Sequence, residues 1–414
     1  METPQVQTGH QPAFTLDSRQ AWIRLALALA IGSIGSVGMW SVVVVLPTVQ
    51  TEFATSRGAA SLAFTLAMLG FGLGGVATGK LTDRFGIVPA IGAGIVLLGL
   101  GYLGAGLAPS LTLFVLMHGV IGAGASATFG PLMAEASHWF ERYRGLAVTI
   151  AASGNYVAGT IWPPLVNWGT ETIGWRTTYV LIGAFSSVAM SVLVVVLRAR
   201  MAGHAATNHE AAPPPRIDLR LSANTLTALL CVASVACCVA MAMPQVHIVA
   251  YCGDLGYGVA RGAEMLSLML MLGIVSRIGS GLLADRIGGI PTLLVGSVAQ
   301  GTALLFYLFF DSLTSLYLIS AMFGLFQGGI VPAYAIIVRE AMPAREAATR
   351  VGLVIMASVM GMSLGGWISG VIFDATGSYA AAFLNGLGWN VLNITIAVTL
   401  LLRARGRGAR VAVA

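Results

Sequence analysis

Arg277 is the residue of this sequence with the clearest capacity for binding chemistry. It lies inside the apolar run EMLSLMLMLGIVSRIGSGLLADRIGG, from Glu264 to Gly289. A charge at the centre of a membrane helix costs about 2.5–3.5 kcal/mol on insertion scales, so such residues usually face a cavity or a partner. Arg277 precedes Asp285 by eight residues, which is about 12 Å along a helix. Its side chain is therefore not expected to reach water at that helix end.

The guanidinium of Arg277 is predicted to bind an anionic substrate. It stays protonated and can hold a carboxylate through two parallel hydrogen bonds. None of the 16 acidic residues is expected in the middle of an apolar run, and Glu135 lies near the end of one. A monoanion would supply the missing negative charge, whereas a cationic drug would need an acid within the membrane. The alternative is a structural arginine that is bonded to backbone carbonyls.

Four further polar residues are candidates for substrate binding. Asn155 and Tyr156 lie halfway along one apolar run and Gln327 halfway along another. Their amide and phenol groups need partners in a low-dielectric interior, and contacts between helices are the alternative. His247 follows Pro244, and an unperturbed imidazole pKa of about 6.5 permits proton exchange near neutrality; a merely hydrogen-bonded histidine is its alternative.

The composition indicates an all-α membrane protein. Of the 414 residues 57% are apolar and only 9% are charged, against about 25% charged in soluble domains. Runs of about 20 apolar residues, each able to cross about 30 Å of hydrocarbon as a helix, recur along the chain. Twelve spans are predicted, at residues 22–49, 58–80, 88–107, 111–136, 144–168, 176–197, 222–250, 259–282, 291–310, 314–340, 346–373 and 380–402.

The positive charges predict the orientation of these spans. If the loops alternate between the two sides, most of the 22 lysine and arginine residues lie on the side of both termini, and the opposite loops hold only Arg57, Arg176 and Arg261. The positive-inside rule then places both termini in the cytoplasm. This accounts for the basic charge without nucleic acid. The excess of arginine over lysine is typical of a GC-rich genome, so a bacterial inner membrane is predicted.

The polar segments divide the chain into two halves. Residues 198–221 include three consecutive prolines and are predicted to be a cytoplasmic linker. It separates an N-terminal six-helix bundle, residues 21–197, from a C-terminal one, residues 222–402. Residues 1–20 and the basic residues 403–414 are predicted to be cytoplasmic tails; the polar start does not resemble a signal peptide.

A short motif occurs at the same place in both halves. GKLTDRFG follows the second predicted span and GLLADRIG follows the eighth. The glycines suit tight bends, and the Asp-Arg pairs can bridge neighbouring helix ends. These loops are predicted to gate the cytoplasmic side, with the residues Gly79, Asp83, Arg84, Gly86, Gly281, Asp285, Arg286 and Gly288.

The paired loops, the twelve spans and the central linker together resemble the major facilitator superfamily. The resemblance implies two six-helix bundles that rock around a central cavity. The segment HWFERYRGLAVTIAASGNYVAGTIWPPLVNWGTETIGWR, His138 to Arg176, and PQVHIVAYCGDLGYG, Pro244 to Gly258, resemble the monocarboxylate transporter and oxalate:formate antiporter group. Two features depart from that group. Gly273 stands where many proton-coupled members carry an acid or amide. Span eleven lacks the second cation of oxalate-type exchangers, and a single fixed positive charge suits a monoanion better than a dianion.

We therefore predict a secondary active transporter of a small monocarboxylate or related organic anion, by proton coupling or by anion exchange. The resemblance implies a monomer. The alternatives are an exporter of an uncharged or aromatic molecule, with Arg277 structural, and a sensor that does not transport. No enzyme, cofactor or metal is expected, because no catalytic constellation or phosphate loop is found. The four cysteines, Cys231, Cys237, Cys238 and Cys252, lack a metal-ligand spacing.

Overall fold

The described part of the chain is helical. The computed structural model describes residues 16–199, 217 and 219–405, and these contain no strand. Their helices are α1 Arg19–Gly35, α2 Val37–Glu52, α3 Arg57–Phe85, α4 Ile87–Gly106, α5 Leu111–Ser126, α6 Gly130–Trp139, α7 Arg144–Ala152, α8 Gly154–Ile173, α9 Trp175–Ala199, α10 Ala223–Asp254, α11 Val259–Ile287, α12 Gly289–Phe309, α13 Leu313–Gln327, α14 Ile330–Ala341, α15 Ala344–Thr376 and α16 Tyr379–Arg405.

Eleven helical segments among these residues are long and apolar enough to cross a membrane. They correspond to eleven of the twelve predicted spans. Three of them join two helices across a short break: α1 with α2, α5 with α6, and α13 with α14. Glycine or small polar residues stand at these breaks, such as Ser36 and the pair Gly328-Gly329.

The fifth predicted span, residues 144–168, differs from the others. It is divided between α7 and α8 at Ser153, and α8 continues to Ile173. This interval is not among the eleven apolar segments, because its residues include Pro163-Pro164 and several polar side chains. A twelfth crossing therefore stays a prediction.

The segments predicted as tails and linker lie mostly outside the described residues. The residues of these segments that the structure does describe include Asp17, which contacts the turn before α7. The carboxylate of Asp17 accepts hydrogen bonds from the backbone N–H groups of Arg142, 3.1 Å, and Tyr143, 3.4 Å. The first described residues thus cap the turn that precedes α7.

Helices from the first and second halves of the chain pack against each other along two long seams. The α3–α15 seam holds a reciprocal pair of hydrogen bonds, from Thr65 Oγ1 to the Ser363 carbonyl, 3.0 Å, and from Ser363 Oγ to the Thr65 carbonyl, 3.2 Å. Gly58 and Gly370 allow the backbones to approach, since a Cβ on Gly370 would lie 2.9 Å from the Gly58 Cα. The second seam joins α8 to α11.

A charged network closes the α3–α15 seam where α3 begins, which we call the Arg57 end. The Arg57 guanidinium forms an ion pair with Asp254 at the end of α10, with Nη1–Oδ2 and Nη2–Oδ1 distances of 2.7 and 3.3 Å. It also donates to Gln50 Oε1, 2.7 Å, and to the Tyr379 hydroxyl.

The helix α3 also receives a cap from the other half of the chain. Both carboxylate oxygens of Asp374, in α15, accept from the first backbone N–H groups of α3, those of Arg57 at 2.8 Å and Gly58 at 2.7 Å. A carboxylate at a helix N-terminus satisfies unpaired donors and complements the helix dipole. The two halves are therefore joined at this end by charge-assisted hydrogen bonds.

Candidate functional site

The α8–α11 seam contains the predicted anion anchor. The break between α7 and α8 at Ser153 leaves the Ala152 carbonyl able to accept a bond from outside its own helix. Arg277 of α11 reaches this carbonyl with Nη1, at 2.9 Å. Its Nε lies 3.4 Å from the Gly328 carbonyl, at the break between α13 and α14. The guanidinium thus joins two helix breaks, one from each half of the chain.

The charge of Arg277 has no carboxylate partner among the residues that the structure describes. Its side chain is half-buried. The two peptide oxygens are the contacts that the structural alternative predicted. The anion-anchor interpretation is not tested by these contacts and stays a prediction. Peptide dipoles satisfy N–H donors but leave the net charge of the guanidinium in place.

Tyr156 provides the surface on which Arg277 lies. The guanidinium carbon is 4.3 Å from the centroid of the Tyr156 ring, within the range of a cation–π contact. The same ring fills the space beside Gly273, where a Cβ would lie 2.3 Å from Tyr156 Cε1 and 2.6 Å from Cδ1. A larger side chain one turn before Arg277 would collide with this ring.

Asn155 is held by a tryptophan of another helix. The indole Nε1 of Trp40, in α2, donates to the Asn155 carbonyl, 3.0 Å, and to its side-chain Oδ1, 2.9 Å. Trp40 is only 3% exposed, whereas Asn155 is half-buried. The two residues are 115 positions apart, and no local pattern in the sequence indicates this contact.

Gln327 lies beside the site, but its side chain contacts another helix. Gln327 Oε1 accepts from Gln245 Nε2 of α10 at 2.9 Å, and both side chains are buried. This is the interhelical contact that was predicted as the alternative. Its neighbour Gly328 contributes the carbonyl that binds Arg277.

His247 belongs to a different region from Arg277. Its Nε2 lies 2.8 Å from the Gly366 carbonyl of α15, and its ring centroid is 5.9 Å from that of Tyr379, in the network at the Arg57 end. The histidine is completely buried. Within the described chain no hydrogen bond joins it to Arg277, Asn155 or Tyr156.

The repeated loops have matching backbone conformations. Gly86 ends α3 with φ 85° and Gly288 ends α11 with φ 86°, a conformation that favours glycine. Asp83, Arg84, Asp285 and Arg286 are exposed, and a Cβ on Gly79 or Gly281 would have open space. The geometry is repeated as the motif predicts; the gating role stays a prediction.

The G-W-R motif at the start of α9 has a structural role. Arg176 contacts Glu52, with an Nη2–Oε1 distance of 2.7 Å, and donates through Nη1 to the Ala108 carbonyl at 2.7 Å. Trp175 donates to the other oxygen of Glu52. These bonds join the ends of α2, α4 and α9. In the described residues no group of three or more His, Cys, Asp or Glu side chains could hold a metal.

The sequence matches a family model over almost its whole length. The model described as the Major Facilitator Superfamily matches residues 28–320 and 280–412. The chain is a member of the Major Facilitator Superfamily. Together with its apolar helices, this makes it a multi-pass membrane protein.

The relatives of this superfamily member include proteins named as transporters. Rat monocarboxylate transporter 13 is 28% identical, over 86% of this chain and 82% of the relative. Human monocarboxylate transporter 11 is 27% identical, over 92% and 83%. An agnestins efflux protein of Paecilomyces divaricatus is 24% identical, over 75% and 70%. The predicted resemblance to monocarboxylate transporters is thus confirmed.

The fold is shared with a bacterial homologue of the human lysosomal transporter Spinster, solved in an inward-facing and occupied conformation. The TM-score is 0.72 with 14% sequence identity, over 94% of this chain and 97% of that one. At this identity the likeness concerns the fold alone.

Proposed function

We propose that this superfamily member is a secondary active transporter of a small monocarboxylate. The observation that carries the proposal is the position of Arg277. Its guanidinium lies between the two halves of the chain, half-buried, with peptide oxygens and a tyrosine ring as its contacts. A carboxylate that entered from solvent would replace the peptide oxygens with a bidentate, charge-neutralising contact.

This replacement couples binding to movement. The Arg277–Ala152 bond joins α11 to the α7–α8 break, so it ties the two halves while the site is empty. A carboxylate competes for the same N–H groups and weakens that tie. A ligand shifts a conformational equilibrium only through such differences in its contacts between states. In this proposal two six-helix bundles rock around the site, as twelve-span carriers do.

The Asp83-Arg84 and Asp285-Arg286 loops then act as gates on the cytoplasmic side. We assign this side to both termini from the positive-inside rule, and the membrane to a bacterial inner membrane. The network of Arg57, Asp254 and Asp374 lies at the opposite end of α3, and in this proposal it closes the non-cytoplasmic side of the protein. Asn155 and Tyr156 lie next to Arg277 and contact the remainder of the substrate, whereas Gln327 and His247 act indirectly.

The test is transport by the purified full-length protein in liposomes with a panel of labelled monocarboxylates. Arg277→Lys keeps the charge but loses the two-pronged geometry, so uptake is expected to fall at least tenfold. Arg261→Lys is the matched control: Arg261 is in the same helix, in a solvent-exposed pair with Glu264. Normal uptake by Arg277→Lys would refute the assignment.

The same liposomes distinguish the modes of coupling. Uptake that depends on a pH gradient indicates proton coupling, and uptake that depends on internal substrate indicates exchange. The structure brings no acid into contact with Arg277 in the described residues, and Tyr156 occupies the space beside Gly273. Both observations favour exchange, because no protonatable carboxylate accompanies the anion anchor.

A second candidate is an exporter of an uncharged or aromatic compound. It is favoured by the contacts of Arg277 with the Ala152 and Gly328 carbonyls and by the agnestins efflux relative. The comparison of small acids with their neutral amides separates the two proposals. Transport of the acids alone supports the monocarboxylate carrier, and transport of the amides alone supports the exporter.

A further inference from the structure

A further close contact lies on the α8–α11 seam, one helical turn beyond Tyr156. A Cβ on Gly159 of α8 would lie 2.2 Å from Leu270 Cδ1 of α11, and 3.0 Å from both Cε2 and Nε1 of Trp40. Leu270 is completely buried and Trp40 is only 3% exposed. The leucine therefore occupies the space that the missing side chain of Gly159 leaves, as small residues in membrane helices permit.

The position of this contact along the seam follows from helix geometry. Leu270 precedes Arg277 by seven residues, which is about 10 Å along α11, and residues with this spacing lie on one face of a helix. Helix α11 begins at Val259, shortly after Asp254, the ion-pair partner of Arg57. Leu270 therefore lies between the Arg277 site and the Arg57 end.

Trp40 forms the third wall of the contact. Its indole N–H is bonded to the backbone carbonyl and the side-chain oxygen of Asn155, which keeps the ring beside Gly159. Helix α2, which carries Trp40, also packs against α10 and α11 of the second half. Helices from both halves thus close the seam on this side of Arg277.

The seam is not closed in the same way on the other side of Arg277. Among the described residues, helix α7 makes no extensive contact with any helix of the second half. A Cβ on Gly145 of α7 or on Gly281 of α11 would have open space. The two halves therefore separate from Arg277 towards the repeated loops, and they meet from Arg277 towards the Arg57 end.

We propose that Leu270, seated at Gly159 against Trp40, is an apolar barrier that must leave its seat before a substrate passes between the Arg277 site and the Arg57 end. The inference rests on the proposed function, which supplies the movement of the halves. The Arg57 end is closed by charged groups, whereas the barrier is closed by shape alone. Its separation leaves no buried polar group without a partner.

The experiment measures how fast two added cysteines react with a membrane-impermeant maleimide in the full-length protein. Lipid nanodiscs make both sides of the membrane accessible to the reagent. Ser267→Cys lies one turn before Leu270, where the Ser267 Oγ is buried, and it reports the Arg57 side of the barrier. Thr149→Cys is in α7 at a half-buried position and reports the other side. The protein with its four native cysteines alone gives the baseline rate.

Gly159→Val is expected to displace Leu270, because overpacking disfavours the arrangement that contains the contact. Labelling of Ser267→Cys should rise by about tenfold or more. Labelling of Thr149→Cys should fall, because rocking that opens one side closes the other. In Gly159→Val/Leu270→Ala the space is restored, and both rates should return towards the values measured with Gly159 and Leu270 in place.

Gly92→Val is the matched control. Gly92 lies inside α4, and a Cβ there meets nothing within 4 Å. The substitution adds the same side chain to a helix of the first half without touching the barrier. Both labelling rates are expected to stay unchanged.

The inference is overturned if Gly159→Val labels like Gly92→Val at both reporter positions. If Gly159→Val fails to fold, Leu270→Ala is decisive: loss of the barrier should raise labelling of Ser267→Cys by about tenfold, and an unchanged rate would overturn the inference. These rates require no substrate. The proposed function fails separately, when the wild-type protein transports none of the labelled monocarboxylates.

Discussion

Arg57 and Arg277 both connect the first half of the chain to the second, but with opposite partners. Arg57 is 6% exposed and bonds to the Asp254 carboxylate, to Gln50 and to Tyr379. Arg277 is half-buried and bonds to two peptide oxygens. The charge of Arg57 is neutralised by Asp254, whereas no carboxylate of the described residues pairs with Arg277. The difference supports the proposal that Arg57 holds the fold together and that Arg277 binds a ligand.

The largest effect is expected from Arg277→Gln. Two charge-assisted bonds to a carboxylate are lost, each worth about 1.5–3 kcal/mol, so uptake should fall roughly 100-fold or more. The melting temperature in detergent should fall less than in Arg57→Gln, because Arg277 is half-buried and no ion pair is broken. Retained uptake with a much lower melting temperature would give Arg277 the structural role of Arg57.

Arg57→Gln should produce the reverse result. Asp254 loses its ion-pair partner, and charge-assisted hydrogen bonds contribute about 1.5–3 kcal/mol, so the melting temperature should fall by several degrees. Arg261→Gln is the control, since that arginine pairs with Glu264 in solvent and such pairs contribute about 0–1 kcal/mol. An unchanged melting temperature in Arg57→Gln would remove the distinction between the two arginines.

A smaller effect is expected from Gly273→Ala, which tests how the Arg277 site is built. The added methyl group would lie 2.3 Å from Tyr156 Cε1, and overpacking of this kind costs about 1–3 kcal/mol. The displaced ring would no longer support the guanidinium, so both uptake and melting temperature should fall.

Gly279→Ala is the control for that substitution, because a Cβ there meets nothing within 4 Å. Truncation of the ring in Gly273→Ala/Tyr156→Leu should restore the melting temperature more fully than the uptake. Equal behaviour of Gly273→Ala and Gly279→Ala would show that the ring can move without consequence.

The sequence predicted the elements better than it predicted their contacts. Eleven of the twelve predicted spans correspond to long apolar helical segments of the described residues, because membrane helices require long apolar runs. The fifth was predicted as one continuous span, although its helix is interrupted at Ser153. The pattern of apolar residues in the sequence does not indicate such a break in a helix. The interruption leaves the Ala152 carbonyl available to Arg277, which donates to it.

The candidate site was predicted only in part. The structure brings Arg277, Tyr156 and Asn155 to one seam, but places His247 beside Tyr379 and pairs Gln327 with Gln245. In the sequence each of these residues is a polar position in an apolar run. Which of them share a site depends on the rotation of each helix about its axis, which packing determines.

The role of Arg57 could not be predicted from local sequence either. It was assigned to a short loop, yet its partners Asp254 and Tyr379 are 197 and 322 residues away. The repeated glycines were easier to recognise: Gly86 and Gly288 adopt the same positive φ at the ends of α3 and α11. A turn of this kind is determined by its own backbone.

The sequence by itself determined that this chain is a helical membrane protein with a repeated loop and a lone cation in an apolar run. Those properties follow from hydrocarbon thickness, backbone hydrogen bonding and the cost of an unpaired charge, which act on each segment separately. Only the tertiary structure decided which oxygens Arg277 contacts, that Tyr156 lies against Gly273, and that Trp40 orients Asn155. These contacts join residues that are far apart in the chain, and they exist only once the helices have packed.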